Sequence, residues 1–143
     1  MKIRPARASD AQAIKAFDAI ARLDGSRVTL IDRSIESNQC FVAVVDDRVV
    51  AYGILNYTFY EQGFVGMLYV HPESRRRGIG SALMTYLEGR CKTVKLYTST
   101  NQSNTRMQAL LAKLGYRPSG IIENLDEGDP ELVYMKRLGG QAV

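Results

Sequence analysis

Three arginines followed by two glycines, Arg75-Arg76-Arg77-Gly78-Ile79-Gly80, are the residues of this chain best suited to chemistry by type and spacing. Guanidinium groups and backbone N–H donors set just ahead of a helix meet an anion where the first helical N–H groups have no partner within the helix. Gly78 and Gly80 lack Cβ, so a bulky anion can come close to the main chain there. Ser81 adds one more helix N-terminal N–H. The chemistry implied is phosphate recognition.

Such a loop must be positioned by what flanks it. Met67–Val70 reads as a short apolar strand, His71-Pro72 as a turn whose bend Pro72 fixes, and the helix opens at Gly78. Ile79, Ala82, Leu83, Tyr86 and Leu87 recur at helical spacing and would pack on a sheet. A solvated basic turn is the plainer reading of the arginines. Glycines two apart at a helix start, directly after a strand, favour a phosphate site.

In that setting the six residues resemble the Gln/Arg-x-x-Gly-x-Gly/Ala signature of the GCN5-related N-acetyltransferases (GNAT family), which binds the pyrophosphate of acetyl-CoA. Leu68-Tyr69-Val70-His71-Pro72 resembles that family's fourth strand, and Asn104 through Tyr116 its next strand-to-helix segment and Gly-aromatic pair. The resemblance spans Ile3 to Leu138. It implies one domain over 1–138 with a tail at 139–143, a GNAT-type sheet, and acetyl-CoA bound between the fourth and fifth strands. It also implies backbone contacts from Leu68, Tyr69 and Val70 to the pantetheine arm, and pyrophosphate contacts from Arg75, Arg76, Arg77, Gly78, Ile79, Gly80 and Ser81. Asn104 matches the family asparagine that touches the cofactor arm. A plain helix N-cap is its other reading, and both roles can coexist.

Composition sets limits that agree with this. The 143 residues, 45% hydrophobic and 24% charged, suit one globular domain with a real core. No run is long and apolar enough for a membrane span or a signal peptide, so a cytoplasmic protein is expected, with no membrane partner. The two cysteines, Cys40 and Cys91, lack companions at metal-ligand spacing, and the single histidine, His71, argues against a metal centre or a serine-type triad. The net charge of +4 comes partly from the arginine loop, which has no interleaved aromatics for stacking bases, and no nucleic-acid partner is expected.

Taken in order, Lys2–Pro5 is a strand, and Ser9 with Gln12 makes a capping box for a helix whose Ile14, Phe17, Ile20 and Ala21 share a face until Asp24-Gly25. A second helix within Val28–Glu36 buries Leu30, Ile31 and Ile35. Cys40–Val45, Arg48–Tyr57 and Phe64–Val70 form an antiparallel meander, with turns at Asp46-Asp47 and Glu61-Gln62-Gly63. The Arg-Gly loop and its helix lead to Thr93–Ser99, a strand parallel to Phe64–Val70. Asn104 starts a helix with Met107, Leu110, Leu111 and Leu114 on its apolar face, stopped by Gly115. Tyr116–Glu123 and Leu132–Leu138 complete the sheet. The fold class is therefore α/β, a mixed, largely antiparallel sheet flanked by helices.

The resemblance fails at the acid and base. Many relatives carry a tyrosine seven residues after the asparagine, where this chain has Leu111; others carry a glutamate five residues before it, where Ser99 stands, or on the fourth strand near Phe64. An ordinary amine with a pKa of ~10.4 must shed a proton to react, so some group or water has to take it. Glu61 at the entry to the fourth strand, Tyr97 on the fifth and Tyr134 on the last are the candidates, each tyrosine having core or surface packing as its alternative. The acidic stretch Asn124–Glu131 resembles a loop of some bacterial members and would draw a cationic amine, unless it is merely a solvated turn. The leading function is direct acetyl transfer from acetyl-CoA to a primary amine of a small molecule or peptide, without a metal. The alternative is a non-catalytic acyl-CoA-binding regulatory module. A homodimer through the C-terminal strands is a further expectation from the resemblance.

Overall fold

The structure, a computed structural model, describes residues 1–139. Of the expected tail, positions 140–143 lie outside the described residues. The elements in order are β1 (Lys2–Pro5), α1 (Ala11–Phe17), α2 (Gly25–Glu36), β2 (Cys40–Val45), β3 (Arg48–Phe59), β4 (Gln62–Val70), α3 (Ile79–Arg90), β5 (Lys95–Asn101), α4 (Thr105–Lys113), β6 (Arg117–Ile122) and β7 (Glu131–Arg137). The strands run β1-β2-β3-β4-β5-β7-β6 in one sheet. β4 and β5 are parallel, while β1–β2, β2–β3, β5–β7 and β6–β7 are antiparallel. This is the mixed, largely antiparallel architecture expected from the sequence.

The chain forms two compact units, one of residues 1–55 with 67–89 and one of 56–66 with the chain from Arg90 onward. In the first, Asp46 and Asp47 both adopt positive φ, +50° and +60°, the geometry a two-residue hairpin needs between β2 and β3. Its core joins Ile14, Phe17, Ile31 and Ile35 to Val42, Tyr52 and Ile54. Gly53 on β3 makes room for α3: a Cβ there would sit 3.0 Å from Leu87 Cδ1.

Four helix expectations need correction. The first helix is not capped by Ser9; a 3-10 turn, Ala8–Asp10, precedes it, and the Asp10 carboxylate accepts from Arg7 N at 2.7 Å. Nor does α1 reach Asp24. It stops at Phe17 because Asp18 turns extended, with ψ 104°, and its Oδ1 takes the N–H groups of Ile20 and Ala21. Ile20 is consequently exposed, and so is Leu30, which faces away from the buried Ile31 and Ile35. α2 begins earlier than expected, at Gly25, because Asp24 caps it by accepting from Ser26 N at 2.9 Å.

In the second unit, Gly63, Phe64 and Val65 of β4 pair with Leu96, Tyr97 and Thr98 of β5. The turn into β4 lies at Tyr60-Glu61, both at positive φ, one residue before the expected one. β5 starts at Lys95, two residues after its expected start. Asn104 caps α4 through Met107 N, and Leu111 is fully buried. A Cβ on Gly63 would run into Cys91 Sγ and lie 3.1 Å from Thr93 Oγ1. Gly63→Ala is expected to lower stability by about 1–3 kcal/mol, the usual cost of overpacking, and an unchanged urea midpoint would contradict that packing.

Candidate functional site

In the first unit, the geometry around the Arg-Gly loop is built by the end of β4. His71 N donates to Val50 O at 2.7 Å, holding the exit of β4 against β3. His71 Nδ1 accepts from Glu73 N at 3.0 Å and so caps the 3-10 turn Pro72–Ser74. Arg75 Nε then donates to Val70 O at 3.0 Å, and its guanidinium carbon lies 5.3 Å from the centre of the Tyr69 ring. Arg75 thus folds back on its own strand and shapes the loop.

Arg76 and Arg77 are exposed and pair with no carboxylate among the described residues. Arg76 has φ +67° and Gly78 has φ +76°. Left-handed residues interleaved in a loop turn successive backbone N–H groups toward one concavity, the device of anion-binding nests. Ala82 N donates to Gly78 O at 3.0 Å as the helix begins, which leaves the N–H groups of Ile79, Gly80 and Ser81 without intrahelical acceptors. Ile79 itself is buried and pins the helix start. Positive side chains, open N–H groups and a helix N-terminus converge within seven residues. That arrangement can hold a pyrophosphate.

Leu68, Tyr69 and Val70 are partly exposed and continue β4 beyond the three residues whose pairs with β5 are given above. The Tyr69 ring stacks on Phe17, centroids 6.1 Å apart, and on Tyr52 at 6.2 Å, while its hydroxyl accepts from Ala19 N at 3.2 Å. Beside it lies a polar group that sequence reasoning missed. Asp18 is fully buried, and its Oδ2 accepts from Tyr52 Oη at 2.5 Å and from Arg27 Nη1 at 2.7 Å. Burial pushes the Asp18 carboxyl up, but the Tyr52 hydroxyl, the Ala21 N–H and the Arg27 guanidinium outweigh it and hold the group below its ordinary value. Tyr52 is pushed far up by burial and by Asp18. One signal existed: Asp18 stands four residues after Ile14, on the apolar face, where a charge demands a buried partner.

The second unit holds the other candidates. Tyr97 is partly exposed and packs on Phe59, centroids 5.1 Å apart. Tyr134 is buried and registers with Thr98, so it lies on the opposite face of the sheet from Tyr97. Glu61 is exposed in the turn that enters β4, whereas the Arg-Gly loop follows β4. Asn104 spends its side-chain oxygen on capping α4, and its amide nitrogen has no hydrogen bond among the described residues.

The acidic loop is exposed from Glu123 to Gly128 and is hydrogen-bonded to neighbouring residues. Asp129 accepts from Ser103 N at 3.0 Å and Ser103 Oγ at 2.6 Å, and Asp126 accepts from Asn101 Nδ2 at 2.8 Å. These carboxylates bind the loop to the last residue of β5 and to the turn after it. Cys40 is buried and its thiol is pushed up to about 11 by that burial. Among the described residues no group of three or more His, Cys, Asp or Glu could hold a metal ion. No helix there is long and apolar enough to cross a membrane.

Comparison with known proteins bears on the family and the fold. The model of the acetyltransferase (GNAT) family matches residues 11–116. A GNAT-family acetyltransferase from Bacillus cereus ATCC 10987 is 32% identical, with 96% of each chain covered and a TM-score of 0.89. A ribosomal-protein-alanine N-acetyltransferase from Brucella melitensis is 20% identical over 96% of this chain and 100% of its own, with a TM-score of 0.79. A phosphinothricin acetyltransferase from Sinorhizobium meliloti, solved in complex with acetyl-CoA, is 21% identical over 96% of this chain and 88% of its own, with a TM-score of 0.78. No curated protein matches the chain.

Proposed function

The chain belongs to the acetyltransferase (GNAT) family, and from that premise we propose that residues 1–138 act as one domain transferring the acetyl group of acetyl-CoA directly to a primary amine of a small molecule or peptide. The observation that carries the reading is the loop geometry: Arg76 at φ +67° and Gly78 at φ +76° feed the open N-terminus of α3 directly after β4. Acetyl-CoA supplies an activated thioester. The chain's part is to bind and orient it. Arg76, Arg77 and the N–H groups of Gly78, Ile79, Gly80 and Ser81 would hold its pyrophosphate, and main-chain groups of Leu68, Tyr69 and Val70 would align its pantetheine arm. Arg75 would stiffen the loop more than it contacts phosphate, since Val70 O and the Tyr69 ring engage it.

Orientation accounts for much of the rate in such a reaction, because a bound, aligned amine and thioester react as a unimolecular pair. A Cys40 acyl-enzyme is disfavoured by the thiol's burial and raised pKa. The test is acetyl-CoA-dependent thiol release across amino acids, polyamines, aminoglycosides and peptides, beside a binding titration of acetyl-CoA. Turnover with one class is expected, retained by Cys40→Ser and Cys91→Ser. Acetyl-CoA binding without turnover on any amine would favour the regulatory module, a reading to which the buried, non-titratable Leu111 also points. Absence of acetyl-CoA binding would end both readings.

A further inference from the structure

The residues on one face of β5 and β7 suggest what holds the acceptor. Along β5 burial alternates, with Leu96, Thr98 and Thr100 buried while Tyr97, Ser99 and Asn101 are partly exposed. Asn101 registers with Glu131 at the start of β7, and Ser99 with the buried Val133, so Glu131 lies on the face of Tyr97, Ser99 and Asn101. Ser99 Oγ donates to Glu131 Oε2 at 2.6 Å. Glu131 Oε1 accepts no hydrogen bond among the described residues, and no Lys, Arg or His there forms an ion pair with the carboxylate. The oxygen left open is a fixed one.

Two residues along β5 from Ser99, on the same face, an aromatic surface begins at Tyr97. Phe64 registers with Tyr97 across the parallel pair, Phe59 stacks on Phe64 with centroids 5.0 Å apart, and Phe59 meets Tyr97 at 5.1 Å. The Tyr97 hydroxyl has no hydrogen-bond partner among the described residues. A partly buried carboxylate without a counter-ion, held by a serine on the strand face that also carries these rings, is complementary to a cation on an apolar stem. A carboxylate serving only the fold would be expected to sit against a cation or reach full solvation. Glu131 does neither. It is set apart from Asp126 and Asp129, which the last residue of β5 and the turn after it consume.

We propose that Glu131, held by Ser99 on the face that also carries Phe59, Phe64 and Tyr97, is the acceptor-binding carboxylate and selects a primary ammonium carried on an aromatic or apolar stem. The naming of this ligand as the acetyl acceptor rests on the acetyl-transfer reading; the binding site itself does not. Sequence inspection passed over Ser99 as lacking a titratable group, because the carboxylate comes from a different strand, 32 positions later in the chain.

The experiment is calorimetric titration of phenethylamine, and of uncharged 2-phenylethanol, into the wild-type protein, Glu131→Gln, Ser99→Ala and the control Glu127→Gln. Circular dichroism melting of each variant checks that it is folded. Glu131→Gln keeps an acceptor for Ser99 and is expected to weaken phenethylamine about tenfold while leaving 2-phenylethanol unchanged. Ser99→Ala is expected to weaken it by a smaller factor, about threefold, through loss of orientation. Glu127→Gln should change nothing. No wild-type binding of phenethylamine up to about 10 mM, or equal affinity in wild type and folded Glu131→Gln, overturns the proposal. Thiol release is read separately. Phenethylamine binding that Glu131→Gln abolishes, with no thiol released from any amine, would defeat acetyl transfer and leave the site standing. Turnover with phenethylamine affinity indifferent to Glu131 would defeat this inference alone.

Discussion

Asp18→Ala is expected to lower unfolding stability by about 3–5 kcal/mol, the cost of breaking a buried charged pair by removing one partner. The carboxylate is fully buried and meets four donors: Tyr52 Oη and Arg27 Nη1 on one oxygen, Ile20 N and Ala21 N on the other. Alanine would leave the Arg27 guanidinium without its counter-charge and the α1–α2 connection without its turn. Asp18→Asn retains the shape and one acceptor, so its loss should be smaller. Tyr52→Phe removes a single hydroxyl from a carboxylate that still has Arg27, and about 1–2 kcal/mol is expected. The order Asp18→Ala, Asp18→Asn, Tyr52→Phe in urea midpoints is the check. Equal midpoints for all three would show that the network contributes nothing beyond packing.

The same network gives a pH dependence. Asp18 lies below its ordinary value of 3.8 in the folded protein, with Tyr52, Ala21 and Arg27 outweighing the opposing effect of burial. Asp10 lies below 3.8 as well, chiefly because Arg4 donates to it at 2.8 Å. A depressed folded value means the unfolded chain binds the proton first as acid is added. The stability each group contributes is therefore complete above 3.8 and is lost as pH falls through the folded value. Thermal midpoints should hold near neutrality and fall below that pH. In Asp18→Ala the fall should be shallower, with only the Asp10 share left of the two.

The legible parts of the chain were those set by local chemistry. Gly78 and Gly80 after three arginines marked the helix start, Asp46-Asp47 marked the hairpin, and Asn104 marked a cap that the structure shows through Met107 N. Periodicity placed Ile31, Ile35, Leu83 and Leu87 in the core. What periodicity could not show was where tertiary partners cut a helix short. Ile20 continues the helical spacing from Phe17, yet Asp18 ends α1 because Tyr52, 34 positions later, takes its carboxylate. The site divided the same way. The loop was readable because its donors are contiguous, whereas the Ser99–Glu131 pair depends on β7 lying beside β5, a pairing no short stretch encodes. Arg75 was read as a phosphate ligand along with its neighbours, and the fold adds contacts to Val70 O and the Tyr69 ring that no local spacing encodes.

Gly78→Val is expected to weaken acetyl-CoA binding about tenfold, and the reason lies in the backbone more than in space. A Cβ on Gly78 would meet nothing within 4 Å, yet the residue holds φ +76°. A β-branched residue there is strained by about 1–3 kcal/mol. That strain must surface somewhere. If the loop keeps its shape, stability falls by that amount; if the exposed loop relaxes, the donors of Arg76 to Ser81 leave their concavity and the cost falls on binding instead. Exposure of Arg76, Arg77 and Gly78 makes relaxation the easier course, and ~1.4 kcal/mol of it is a factor of ten in affinity. Because the substitution changes no charge, it separates a shaped phosphate cradle from a merely basic patch. Calorimetric titration of acetyl-CoA, with thermal melting of the free protein beside it, reads both destinations of the strain. A Gly78→Val protein with wild-type affinity and wild-type melting would show that the loop has no shape to lose, and would remove the observation on which acetyl-CoA binding rests.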